Sequence, residues 1–160
     1  MFKVFLTCIL AITAQSYPSN FEGKVVNVID GNTLEIESKE EGLVKVMLKE
    51  VDCPELSQHF GNEAHLFTKK LVYKKKVTVE IKGKDRWGNK LATIKLKNGS
   101  QLHEELLKNG MAWASPKEVD LGTIEAQAKS SKTGLWNEDN PTPPWVHRRQ
   151  QTMLKPKAMY

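Results

Sequence analysis

Residues 21–51 carry three short runs in which apolar and polar side chains alternate, separated by clusters of turn formers. Residues 21–28 and 33–37 flank Asp30-Gly31-Asn32, and Lys39-Glu40-Glu41-Gly42 precedes residues 43–51. A period of two sends successive side chains to opposite faces of a strand, while glycine, aspartate and asparagine supply the tight turns between neighbours. In the third run Val44, Val46, Leu48 and Glu50 share one face; Lys45, Met47, Lys49 and Val51 share the other.

Beyond residue 60 the period changes. Ala64, Phe67, Leu71 and Val72 recur at helical spacing within residues 61–73. Residues 76–82 alternate again, with Val77, Val79 and Ile81 on one face, residues 85–90 form a turn, and residues 91–96 complete the strand set. Leu102, Leu106 and Leu107 mark a short helix stopped by Asn109-Gly110, and residues 119–131 hold a further helix ended by Gly134. From Asn137 onward proline and charge dominate, and the chain reads as an extended tail. This order predicts an α+β fold, a five-stranded β-barrel of the OB type with three α-helices. In such barrels one face and its loops carry the ligand.

The N-terminus has a different logic. Met1-Phe2-Lys3 brings a positive charge, residues 4–12 are almost wholly apolar, and Ala14-Gln15-Ser16 offers small residues where a signal peptidase reads. That is the layout of a secretory signal peptide over residues 1–16, too short for a bilayer span of about 20 residues. The mature protein is expected to be secreted or periplasmic, a monomer, with no membrane association after cleavage. Cys8 raises a lipid-attachment alternative, but Thr7 before it and the apolar stretch after it fit that poorly. Cleavage removes Lys3 and no acid, so the formal net charge falls from +5 to +4. Cys53 is then the sole cysteine, which excludes an internal disulfide. Stability must come from packing, which 39% hydrophobic residues and four tryptophans permit. One domain over residues 21–136 with a proline-rich, basic tail over residues 137–160 fits this length. The mild basicity reads either as solubility or as attraction to a polyanion.

The densest chemistry lies in Val51-Asp52-Cys53-Pro54-Glu55, where a proline stiffens a turn between two carboxylates three residues apart. An ordinary solvated turn has the same form, so its neighbours carry the argument. The chain also contains Asp30-Gly31-Asn32-Thr33, Gly61-Asn62-Glu63-Ala64, Asp85-Arg86-Trp87-Gly88-Asn89, Gly110-Met111-Ala112-Trp113, Gly134-Leu135-Trp136 and Pro143-Pro144-Trp145. Together with residues 47–55 these resemble, in order, the motifs of the staphylococcal nuclease family. The resemblance covers residues 21–148 and implies the same OB barrel with three helices.

It also implies a chemistry. Members cleave DNA and RNA phosphodiesters with one calcium ion, held by two aspartates and a backbone carbonyl; a glutamate serves as candidate base, and two arginines grip the phosphate. By this resemblance Asp52 is a metal ligand, Cys53 supplies the carbonyl, Glu55 is the base, and Asp30 supports the site from behind. The departures are Asn32 for the second metal aspartate, and Met47 and Asn89 for the two arginines. Asn32 can offer calcium an oxygen but no charge, so calcium is expected to bind weakly if at all. Losing one electrostatic donor costs roughly 100- to 1000-fold in rate. Lys49, Arg86 and Lys90 are candidate nucleic-acid contacts, although a lysine replaces an arginine fork only in part, and surface solvation is the alternative. Trp87 either stacks on a base or packs within its turn. Trp113, Trp136 and Trp145 read as anchors for the C-terminal segments, and His59, His65 and His103 as solvated or capping residues. The expected partner is DNA or RNA, single-stranded, with cleavage weak or lost. An active calcium-dependent endonuclease with a remodelled site is the alternative, and a protein-interaction module a third reading.

Overall fold

The computed structural model describes residues 20–154 apart from 117 and 119; the leader expected at residues 1–16 lies outside the described residues. Five strands close a barrel in the order β1-β2-β3-β6-β5, formed by β1 (Asn20–Val28), β2 (Thr33–Ser38), β3 (Gly42–Leu48), β5 (Lys76–Lys84) and β6 (Lys90–Lys95). All neighbours are antiparallel except β3 and β6. Closure leaves the barrel itself without a free edge to pair with another chain. Two-residue strands β4 (Val51–Asp52) and β7 (Trp113–Ala114) form a separate ladder outside the barrel.

The alternation read from the sequence sets the core. Val25, Leu34, Ile36, Val46, Val79 and Ile94 point inward and are fully buried. Each such side chain contributes about 1.5–3 kcal/mol on leaving water. Helix α1 (Gly61–Val72) packs Ala64, Thr68 and Val72 against the barrel, and α2 (Leu102–Lys108) buries Leu102, Leu106 and Leu107. At seven residues α2 would not stand alone in water. Its acidic first turn, Lys108 in the last, and an Asn109 side chain bonded to the Glu105 carbonyl complement its two ends. Helix α3 (Leu121–Ser130) follows, then a 3-10 turn (Gly134–Asn137). Gly110 and Gly134 both have positive φ and meet backbone to backbone: a Cβ on Gly110 would lie 2.0 Å from the Thr133 carbonyl.

Three expectations need correction. The third alternating run is not one strand, because β3 stops at Leu48 and the chain bends at Lys49-Glu50 before β4. The bend breaks the alternation, so Val51 is buried next to the buried Glu50 instead of continuing the face of Lys45 and Lys49. The tail is not extended either, since Pro144–Leu154 forms a fourth helix, α4. Pro144 occupies its first position, where a missing N–H costs nothing and the fixed φ already suits a helix. His103 is also buried, neither solvated nor capping: its Nδ1 lies 3.7 Å from Glu50 Oε2, and neither atom has a hydrogen-bond partner.

Candidate active site

The site is built where the β1–β2 turn, the end of β4 and the start of α1 converge. Asp30 Oδ1 accepts the Asn32 N–H at 2.9 Å, closing the turn on itself. Gly31 is needed for closeness, not for an unusual φ: a Cβ there would stand 2.6 Å from Cys53 Cβ and 3.0 Å from Ala64 Cβ. Thr68 of α1 donates to the Gly31 carbonyl at 2.6 Å. The turn is thus clamped between Cys53 and α1, and Asn32 is buried. The Cys53 side chain is buried as well, which pushes its thiol well above the usual range, with Asp30 and Asp52 adding to the effect. A thiol held protonated is a poor nucleophile, so the cysteine serves as packing.

Asp52 ends β4 directly opposite Trp113 of β7. Glu55 follows in a loop held by Gln58, whose side-chain oxygen accepts the Glu55 N–H at 2.8 Å. An arginine from the far end of the chain meets both acids. Arg148 of α4 donates through Nη2 to Asp52 Oδ2 at 2.6 Å and through Nη1 to Asp52 Oδ1 at 3.1 Å. The same Nη1 reaches Glu55 Oε1 at 2.7 Å. A fork that meets two carboxylate oxygens is the strong form of this interaction. The hydrogen bonds to Asp52, then to Glu55, hold the guanidinium charge even more firmly than usual.

The cleft in front of these groups measures about 460 Å³ and is lined by Asp30, Asn32, Met47, Lys49, Asp52, Glu55, Trp87 and Asn89. Three residues singled out in the sequence are outside that lining: Cys53, Arg86 and Lys90. Met47 faces the cleft and is neutral. Asn89 is spent within its own turn: its side-chain amide donates to Asp85 Oδ2 at 2.8 Å and its N–H to Asp85 Oδ1 at 2.9 Å. The side-chain bond from Asn89 is the main cause holding the Asp85 carboxyl below the usual range. Lys49 lies in the cleft, but its ammonium is paired with Glu118 at 2.7 Å. Lys90 stands 4.0 Å from Glu41. Trp87 is 73% exposed, and among the described residues its one stacking partner is Arg86 of the same turn, 3.9 Å from the ring centroid.

A family profile described as staphylococcal nuclease homologue matches residues 45–138. A Haemophilus influenzae protein named an uncharacterized endonuclease is 37% identical over 155 residues, covering 93% of this chain and 86% of that protein. The chain belongs to the staphylococcal nuclease family. A micrococcal nuclease of Shigella flexneri is 29% identical over 144 residues, with 82% of each chain covered. A staphylococcal-like nuclease of Arabidopsis thaliana is 35% identical over 110 residues, 67% of this chain and 34% of that protein.

For a nuclease-family chain the calcium donor set is a poor fit here. Asn32 brings no charge, and both Asp52 oxygens already accept hydrogen bonds from Arg148. Among the described residues no three His, Cys, Asp or Glu side chains converge to hold a metal. The residues not visible from the sequence are Arg148 and Glu118, on the wall of the site or paired with a residue there; Trp145, read as an anchor, also lines the cleft. A usable signal did exist for α4. Pro143-Pro144 followed by Trp145 and Arg148, three apart, fits a helix that opens on proline and shows both side chains on one face.

Proposed function

We propose that this nuclease-family protein is exported, binds a nucleic-acid strand in the cleft between barrel and α4, and cleaves it weakly or not at all with calcium. The observation that carries the reading is the absence of a guanidinium at both implied arginine positions. Met47 cannot donate, and the Asn89 amide is engaged by Asp85. A phosphoryl group gathering charge on its oxygens would find neither fork, and each lost donor costs roughly 100- to 1000-fold. Binding needs less. The exposed Trp87 with Arg86 over it forms a rim on which a single-stranded base can stack, worth about 1–3 kcal/mol. Lys45 lines the cleft and forms no ion pair among the described residues.

The endonuclease names of the relatives favour a second reading, an active calcium-dependent enzyme with a remodelled site. One assay decides between them. Cleavage of single-stranded DNA with calcium is measured for the wild type and for a triple variant carrying Asn32→Asp, Met47→Arg and Asn89→Arg. The expected result is activity only in the triple variant, and wild-type turnover close to it would reject the weak-cleavage reading. Salt-dependent DNA binding by the wild type is expected in parallel; its absence would leave the protein-interaction reading.

A further inference from the structure

The acid that the family resemblance gives to calcium, Asp52, and the one it makes the base, Glu55, are both in the hands of Arg148, and the way α4 is docked makes that contact more than incidental. Trp145 meets Trp113 edge to face, with ring centroids 6.4 Å apart. Trp113 is the register partner of Asp52 in the β4–β7 ladder. Arg148 follows Trp145 by three residues, so both project from one face of the helix. The aromatic contact and the arginine fork therefore fix α4 on the same two-stranded ladder. The start of α4 and the segment leading into it are also stapled to the loop after Glu55: Gln58 Nε2 donates to the Thr142 carbonyl at 2.9 Å, Ser57 bonds His147 of the helix at 2.9 Å, and His59 pairs with Glu138.

We infer that Arg148 is a built-in cation that takes over Asp52 and Glu55, excluding a divalent metal there and making strand binding metal-independent. The charge argument is direct. Asp52 and Glu55 alone would present two negative charges to an approaching phosphate; with Arg148 the cluster keeps one. Asn32 adds none, whereas an aspartate in its place would restore the demand for an external cation. A metal could claim Asp52 only by displacing an arginine that is tethered on the same chain. Arg148 is half exposed, and three hydrogen bonds leave donors on a guanidinium that carries five N–H groups. The effect on the strand rests on the proposed nucleic-acid binding; the effect on calcium does not.

The test is calcium calorimetry on the full mature chain, beside DNA binding with and without chelator. Wild type should show no saturable submillimolar calcium binding. Arg148→Ala, verified as folded by circular dichroism, should bind calcium at least about tenfold more tightly, within the roughly 5- to 150-fold range of coupled ligands. Adding Asp52→Asn should remove that gain. DNA binding should ignore chelator in the wild type, and in Arg148→Ala should weaken without calcium and recover with it. Tight calcium binding by the wild type overturns the inference without any variant, as does unchanged calcium affinity in Arg148→Ala. If the wild type binds no DNA, the nucleic-acid reading fails, and calorimetry still decides whether Arg148 excludes the metal.

Discussion

Glu50 occupies an inward-facing position in the alternation that buries Val44, Val46 and Leu48, so a carboxyl has been placed where a hydrocarbon would fit. Thr93 donates to one of its oxygens; the other faces His103 without a hydrogen bond. Burial, outweighing the attraction of Glu50, Glu104 and Glu118 and assisted by Lys108, lowers the His103 value below the ordinary 6.5. Between the folded value and 6.5 the unfolded chain therefore holds more protons than the folded one. Stability rises with pH through that window and falls on acidification, by at most about 1.4 kcal/mol per pH unit for one proton. Urea unfolding from neutral pH downward should show this slope, and His103→Gln should flatten it. An unchanged slope in the variant would assign the acid sensitivity to other groups.

At the scale of elements the decisive piece is α4. A helix of 11 residues is marginal by itself, and its stability in this protein comes from docking. The Trp113–Trp145 contact should carry about 0.5–1.5 kcal/mol beyond area burial. With the buried part of the ring added, Trp145→Ala is expected to cost about 2 kcal/mol while α4 amides lose most of their hydrogen-exchange protection. The same substitution releases Arg148 from Asp52 and should reproduce the calcium behaviour of Arg148→Ala. Retained α4 protection would place the helix's anchor elsewhere, in the Gln58, Ser57 and His59 staples.

The whole molecule is a basic protein, with a sequence pI near 9.1, whose cleft holds acids as well as bases. Affinity for a strand should then depend on few phosphate contacts. For single strands the logarithm of affinity falls by roughly 0.7 per contacted phosphate for each logarithm of salt. Lys45→Ala should reduce that slope by about one such increment in a fluorescence anisotropy titration with oligodeoxynucleotide. Lys49→Ala should change it less, because Glu118 already neutralises Lys49. Equal effects from the two lysines would mean that the Lys49–Glu118 pair opens when a strand binds.

The barrel was legible in the sequence because its signals are short-range. Side chains two apart fix a strand's facing, and Asp30-Gly31-Asn32 or Asn109-Gly110 fix an ending, so β1, β2, β5, β6 and the first three helices could be placed from local pattern. The end of β3 was not legible, since Glu50 continues the alternation and only its bend into β4 decides where Val51 points. Nor was α4, because Pro143-Pro144 reads locally as a breaker until Trp113 is there to receive Trp145. The chain by itself determined that Asn32, Met47 and Asn89 stand where the family resemblance implies an aspartate and two arginines. Tertiary structure alone decided what fills the cleft. Arg148 and Asp52 are 96 residues apart, and no local propensity encodes a contact made only after the barrel, its outer ladder and the last helix have packed together.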